Sequence, residues 1–118
     1  MNLDTERSGG VTVACPAGRL DSNNAKEFET ALLGLVAAGD GDILLDFSKL
    51  TYISSAGLRV VLMAAKRTRI AKRRLALCAL NDHIKEVFTV SGFAKILDIL
   101  PGRDDALAHL SEGGELSR

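Results

Sequence analysis

Two adjacent hydroxyls, Ser54 and Ser55, sit in the stretch YISSAGLRVVL (52–62), between an apolar run and an amphipathic one. A serine at such a junction can cap a helix by accepting a hydrogen bond from an orphan backbone N–H. It can act as a nucleophile if a base lies beside it, or it can accept a phosphate. The nucleophile needs more than this chain supplies. A serine-hydrolase elbow uses G-x-S-x-G so that the chain bends tightly, whereas Ser55 is preceded at that spacing by Ile53 and followed by Gly57. A triad also needs a histidine base. His83 falls at the start of an expected helix and His109 near the C-terminal end, and no residue pattern ties either to Ser55.

Other chemistries fare no better. Neither GxxxxGK[ST] nor GxGxxG occurs, so no phosphate or dinucleotide loop is indicated. Asp46 closes the apolar run ILLDF, a position that suits a phosphorylated aspartate, but that chemistry needs a metal held by further carboxylates. The first strand, VTVACP, has none, and Asp46 is read instead as orienting the following turn. No His, Cys, Asp or Glu group shows ligand spacing, so neither a metal nor a cofactor is expected. Cys15 and Cys78 lie far apart in apolar segments and read as reduced core thiols. Lys66, Arg67, Arg69, Lys72, Arg73 and Arg74 crowd one segment. Such a run is commonly a solvated helix end, where cations suit the helix dipole. With zero net charge and no aromatics among those cations, a nucleic-acid module is disfavoured.

The elements that must position Ser55 follow from hydrophobic period. At 118 residues, 47% hydrophobic and 25% charged, the chain suits one globular domain. It has no apolar run near the roughly 20 residues needed to span a bilayer. Residues 1–10, which contain no apolar signal core, and 111–118 read as flexible termini around a domain at 11–110, and the cytoplasm is the expected location. VTVACPAGRL offers two short strands broken by Pro16. Cap-type residues Asp21–Asn24 then precede Phe28, Leu32, Leu35 and Val36 at helical spacing. DILLDF and RLALCAL read as strands buried on both faces. Between them Leu58, Val61, Leu62 and Ala65 form one face of a second helix. Asn81 and Asp82 cap a third that stops near Gly92, KILDIL is a last strand, and DDALAHL a short terminal helix. The order β, β, α, β, α, β, α, β, α requires crossovers. It predicts an α/β fold with a mixed but largely parallel sheet of four to five strands and about four helices.

On that scaffold Ser55 opens a helix, where unsatisfied N–H groups and the positive end of the dipole tolerate a phosphate. Phosphorylation would leave the fold standing and add about −1.5 to −2 units of charge to the surface. Like charges brought together at an interface cost several kcal/mol, and a near-complete swing between bound and free needs about 5.5 kcal/mol. One phosphate could therefore supply most of a switch. The helix-cap alternative stays open at this point.

The stretch DFSKLTYISSAGLRVVL resembles the signature of the STAS-domain anti-sigma factor antagonists, in which a strand ends in aspartate and a serine opens a helix before a glycine-leucine pair. GRLDSNNAKEFETAL resembles the turn that leads into that family's first helix, and VFTVSGFAKILDI its serine-glycine segment before the last strand. The resemblance implies a STAS-like domain that is not an enzyme. It implies binding to an anti-sigma factor that is also a serine kinase, loss of binding when Ser55 is phosphorylated, and resetting by a serine phosphatase. The alternative output is a phospho-switch acting on secretion, motility or biofilm formation. Partner contacts are expected at Asp21, at the turn of Ser54, Ser55, Ala56 and Gly57, and at Arg59 and Met63, in a protein that is a monomer when free and touches neither membrane nor nucleic acid. Ser54 stands where the family often has aspartate, and Ala56 where it often has serine or threonine. The first departure makes Ser54 a second candidate acceptor.

Overall fold

A strand made only of large aliphatic residues must be covered on both faces. In the computed structural model, which describes residues 3–39 and 41–116 with side chains as far as residue 111, Ile43, Leu44 and Leu45 are fully buried. They form β4 (Ile43–Asp46), the middle strand of a five-stranded sheet. β2 (Val11–Pro16) and β6 (Leu75–Cys78) flank it in parallel, and β7 (Asp98–Leu100) extends the parallel set beyond β6. β1 (Leu3–Ser8) closes the other edge, antiparallel to β2. Parallel neighbours need crossovers. These are α1 (Ala25–Ala38), α2 (Ser55–Ile70) and α3 (Asp82–Val90). All three cover one face, where Phe28, Leu32, Val61 and Phe88 meet Ala14 and Leu45. On the other face α4 (Arg103–Leu116) lays Ala106 and Leu110 over Val13, Leu44, Ala76 and Cys78. None of the described helices is long and apolar enough to cross a membrane.

Pro16 ends β2 and the chain leaves the main sheet. It forms a parallel two-stranded ribbon of β3 (Gly18–Leu20) with β5 (Leu50–Ile53). Gly18, at φ +80°, takes a backbone conformation that a side chain would strain. The ribbon matters because both of its strands run directly into the turns expected to meet a partner.

Four sequence expectations are corrected. Residues 1–10 do not begin as a loose arm: Leu3–Ser8 is a strand, joined to β2 by Gly9 and Gly10, which have φ values of +56° and +86°. Positive φ at both central residues is the type of turn that matches strand twist in a two-residue hairpin. The C-terminal helix is longer than DDALAHL and runs to Leu116. Residues 1–2 and 117–118 of the two expected tails lie outside the described residues. KILDIL is a strand only at Asp98–Leu100, because Phe93–Lys95 coils into a 3-10 turn behind Gly92 at φ +84°. LTYI, for which the hydrophobic pattern predicts no strand, is β5.

The two cysteines lie on one face of the sheet with β4 between them, since Cys15 follows the Ala14–Leu45 pair and Cys78 pairs with Asp46. Two strand spacings of about 4.8 Å put their Cα atoms roughly 10 Å apart, beyond the ~7 Å a disulfide can bridge. Burial, with the Asp46 charge beside it, pushes the Cys78 thiol up to about 12. It is inert at neutral pH.

Asp46 is held from both sides. Its Oδ1 accepts from the Ser48 backbone N–H at 2.9 Å, which shapes the turn after β4. Its Oδ2 accepts from Arg103 Nε at 3.0 Å, and the same guanidinium reaches Glu6 on β1 and Cys15 Sγ on β2. Burial raises the Asp46 carboxyl, but the hydrogen bonds from Ser48 and Arg103 outweigh it, and the group lies below the ordinary aspartate range. A carboxylate with a depressed folded-state pKa stabilises fully above its unfolded value and loses that contribution as pH falls through the folded one. Asp46→Asn is therefore expected to cost about 1–3 kcal/mol at neutral pH. Thermal melts from neutral to strongly acid pH should show the variant losing less stability than wild type below about pH 4. Parallel losses in the two proteins would contradict the assignment.

Candidate functional site

The register of the small ribbon decides the site. Leu20 pairs with Ile53, so Asp21 and Ser54 leave adjacent strands together. The Ser54 backbone N–H donates to Leu20 O at 2.8 Å and clamps the two turns side by side. Each turn is also held internally. Asp21 Oδ1 accepts from the Asn23 N–H at 3.0 Å, its Oδ2 lies 3.7 Å from Arg19 Nε, and Asn24 Oδ1 accepts from the Asp21 N–H at 2.9 Å. Asn24, at the cap position of α1, thus turns its side chain back onto the turn and makes no cap bond to the helix.

The two serines divide the roles the sequence left open. Ser54 is the N-cap of α2: its Oγ accepts from the Gly57 N–H at 3.3 Å, and its carbonyl accepts from the Leu58 N–H at 2.9 Å. Ser55 is the first helical residue, exposed, and its hydroxyl has no hydrogen-bond partner among the described residues. It stands among the N–H groups that a helix start leaves without intrahelical partners. α2 has no acidic residue in its first turn.

The other expected contacts separate into two sets. Arg59 is exposed and Met63 half-buried, and they follow Ser55 at intervals of four, which stacks the three on one stripe of α2. Ala56 is half-buried against the main core. Gly57 is buried, and a Cβ there would lie 2.7 Å from Leu20 Cγ and 3.0 Å from Ile53 Cγ1. The close approach allowed by this glycine is thus to the ribbon beneath the helix.

An apolar groove of about 590 Å3 between the start of α2 and α3 completes the surface. Ser54, Ser55 and Leu58 line one side and Glu86, Val87 and Val90 the other, with Val90 79% exposed. Sequence reasoning placed no α3 residue at the site. The signal was Val90, an apolar residue off the buried stripe of Ile84 and Phe88. Asn81 secures α3 there: its Oδ1 caps the helix by accepting from the Ile84 N–H at 2.8 Å, and its Nδ2 donates to Leu50 O and Thr51 O of β5, each at 3.3 Å. Tyr52 and His83 line it too, their rings stacked at 5.8 Å between centroids, and Arg19 lies 4.1 Å over the Tyr52 ring. His83 therefore lines the same groove as Ser55, which the sequence did not indicate, yet no hydrogen bond joins the two among the described residues. The groove combines apolar walls with a free hydroxyl, and the Arg19–Asp21 ion pair belongs to the turn clamped beside Ser54.

Comparisons with known proteins bear on this geometry. A family model described as "Mlab, STAS domain" matches residues 5–101. BtrV of Bordetella bronchiseptica, assigned provisionally as an anti-sigma factor antagonist, is 42% identical over 108 residues, covering 92% of this chain and 93% of its own. An anti-sigma-B factor antagonist of Listeria monocytogenes is 30% identical over 84 residues, 70% of this chain and 73% of that protein. Among solved structures, the anti-sigma factor antagonist SpoIIAA in its unphosphorylated form superposes with a TM-score of 0.78 at 18% identity, covering 95% of this chain and 97% of that one. SpoIIAA of Bacillus in its phosphorylated form gives 0.70 at 17%, covering 92% and 98%. At those identities the likeness to SpoIIAA is one of fold.

The division between the serines is measurable. Ser54→Ala should destabilise the protein by about 1 kcal/mol through loss of the cap, while Ser55→Ala should stay within about 0.5 kcal/mol of wild type. Gly57→Ala should cost about 1–3 kcal/mol by overpacking against Leu20. Urea titrations of the three variants test all of this. A larger loss for Ser55→Ala than for Ser54→Ala would reverse the assignment.

Proposed function

The chain belongs to the STAS-domain family, and from that premise we propose that it is an anti-sigma factor antagonist that works by partner switching. In its unphosphorylated form it binds an anti-sigma factor that is also a serine kinase, and so frees the sigma factor. The kinase places a phosphate on Ser55, the complex separates, and a serine phosphatase restores the starting state. The protein is a binding module and a substrate in this cycle, works in the cytoplasm, and catalyses no step itself. The observation that carries the reading is the free hydroxyl of Ser55 at the start of α2, on the wall of an apolar groove.

Physical chemistry connects that hydroxyl to release. An apolar groove gains affinity by excluding water, and a phosphate on its wall carries about −1.5 to −2 charges that hold water strongly. Glu86 on the opposite wall adds like charge. The partner must then desolvate a dianion or lose the groove. The helix start meanwhile keeps the phosphate compatible with the fold, since its free N–H groups and dipole favour an anion. The asymmetry is the switch: the charge is tolerated by the monomer and costly only to the complex.

Affinity capture from native cytosol with wild-type, Ser55→Asp and Ser55→Ala baits, read by mass spectrometry, tests the proposal. Wild type and Ser55→Ala should enrich a protein of kinase fold. Ser55→Asp, with an unchanged circular dichroism spectrum, should bind it about tenfold to a hundredfold more weakly. ATP should release the wild-type complex and leave the Ser55→Ala complex intact. Equal recovery of the same partner by wild type and Ser55→Asp would end the switch reading and leave Ser55 as a surface residue. Release of the Ser55→Ala complex by ATP would move the acceptor to Ser54.

A further inference from the structure

The basic run is only partly explained by the fold. Arg73 is committed to structure, donating to Gly41 O at 2.7 Å and to Val36 O, and so closing the end of α1. Arg74 is committed too, to Asp98 and to the His109 and Leu110 carbonyls of α4. Lys66 and Arg69 are different. Both are exposed on α2, and neither side chain has a hydrogen-bond or ion-pair partner among the described residues.

These two cations edge a second groove of about 330 Å3, at the opposite end of α2 from Ser55. Its floor is apolar, built from Leu62 and Ala65 on the helix and from Phe93, Ile96 and Leu97 around the 3-10 turn, with Ile96 60% exposed. Arg69 is shared with an adjoining cleft of about 230 Å3 in which Thr68, Arg73, Arg74 and Asp98 meet, so this end of the molecule is locally positive. Cations near a helix C-terminus offset its dipole. That role needs no apolar floor beneath them and no exposed isoleucine beside them.

We propose that this groove is a second docking site, fitted to a partner protein's segment that sets apolar side chains on the floor and carboxylates against Lys66 and Arg69, and that it binds whether or not Ser55 is phosphorylated. The occupant's charge follows from the unpaired cations, and its apolar anchors from the floor. Independence from the switch follows from distance. Lys66 and Arg69 lie ~16 and ~21 Å beyond Ser55 along α2 at about 1.5 Å per residue, against a Debye length of about 8 Å at physiological salt. A phosphate at Ser55 would hardly be felt there. A module that must also be met in its phosphorylated state, as the switching reading above requires, gains from such a handle, although the groove itself does not depend on that reading.

The probe is a synthetic helical peptide with leucines one turn apart flanked by glutamates, and its control carries lysine in place of every glutamate. Binding to the full chain is followed by fluorescence anisotropy and by amide chemical shifts. The acidic probe should bind wild type and shift Leu62, Phe93 and Ile96. The double variant Lys66→Glu, Arg69→Glu should bind roughly tenfold or more weakly with an unchanged circular dichroism spectrum, and Ser55→Asp should change binding by less than about twofold. Equal affinity for both peptides, shifts confined to Val87 and Val90, or indifference to the charge reversal would each overturn the proposal. So would abolition of binding by Ser55→Asp, which would make the two grooves one site. Concentration-dependent self-association that the charge reversal removes would assign the groove to a second copy of the chain instead.

Discussion

Burial of β4 on both faces is the constraint from which the rest follows. A strand of Ile43, Leu44 and Leu45 with no exposed residue cannot stand at an edge, so it takes parallel neighbours on both sides and helices above and below. The chain can leave it only at its carboxyl end, where Asp46 accepts from Ser48 and Arg103 and aims the exit toward β5. Everything at the candidate site is then placed by short-range bonds: β5 beside β3, Ser54 on Leu20 O, and Asn81 under Leu50 and Thr51. Arg103 joins the sheet's far edge and α4 to the same aspartate, so the back of the molecule holds the exit that the front uses.

The site is economical in its local physics. The capping hydroxyl and the free hydroxyl belong to different serines one residue apart. Ser54 supplies the acceptor that a helix start needs, and Ser55 is left with a hydroxyl free of structural duty. A phosphate added to a residue that also capped the helix would have to break a stabilising bond to form. Added at the first helical position, it would lie beside the helix-start donors and a favourable dipole. Gly57 completes the arrangement by letting α2 settle directly on Leu20 and Ile53.

The two departures from the family pattern make structural sense. Serine and aspartate are about equally good N-caps, so Ser54 keeps the helix start while removing a charge beside Ser55. Ala56 is half-buried against the core, where a methyl group packs without a polar atom to satisfy. Both changes leave the stripe of Ser55, Arg59 and Met63 in place. They alter the electrostatic surroundings of the hydroxyl and not its position.

By itself the sequence determined what depends on neighbours along the chain. Period and composition sufficed for the buried strands at 43–46 and 75–78, the three crossover helices, the capping positions near Ser54 and Asn81, and the serine at the start of α2. It did not reveal β1 or β5, because Leu3–Ser8 is mostly polar and exposed and Leu50–Ile53 is too short to declare a period. Those strands exist through backbone pairing with partners that folding supplies. Nor did it reveal the groove walls on α3, which Asn81 ties to β5 from thirty residues away. Which serine caps, which face of Gly57 is approached, and which arginines are already engaged were decided by tertiary structure alone. Each is a question of what lies within 3–4 Å, and distance in space is the one quantity that order along a chain does not specify.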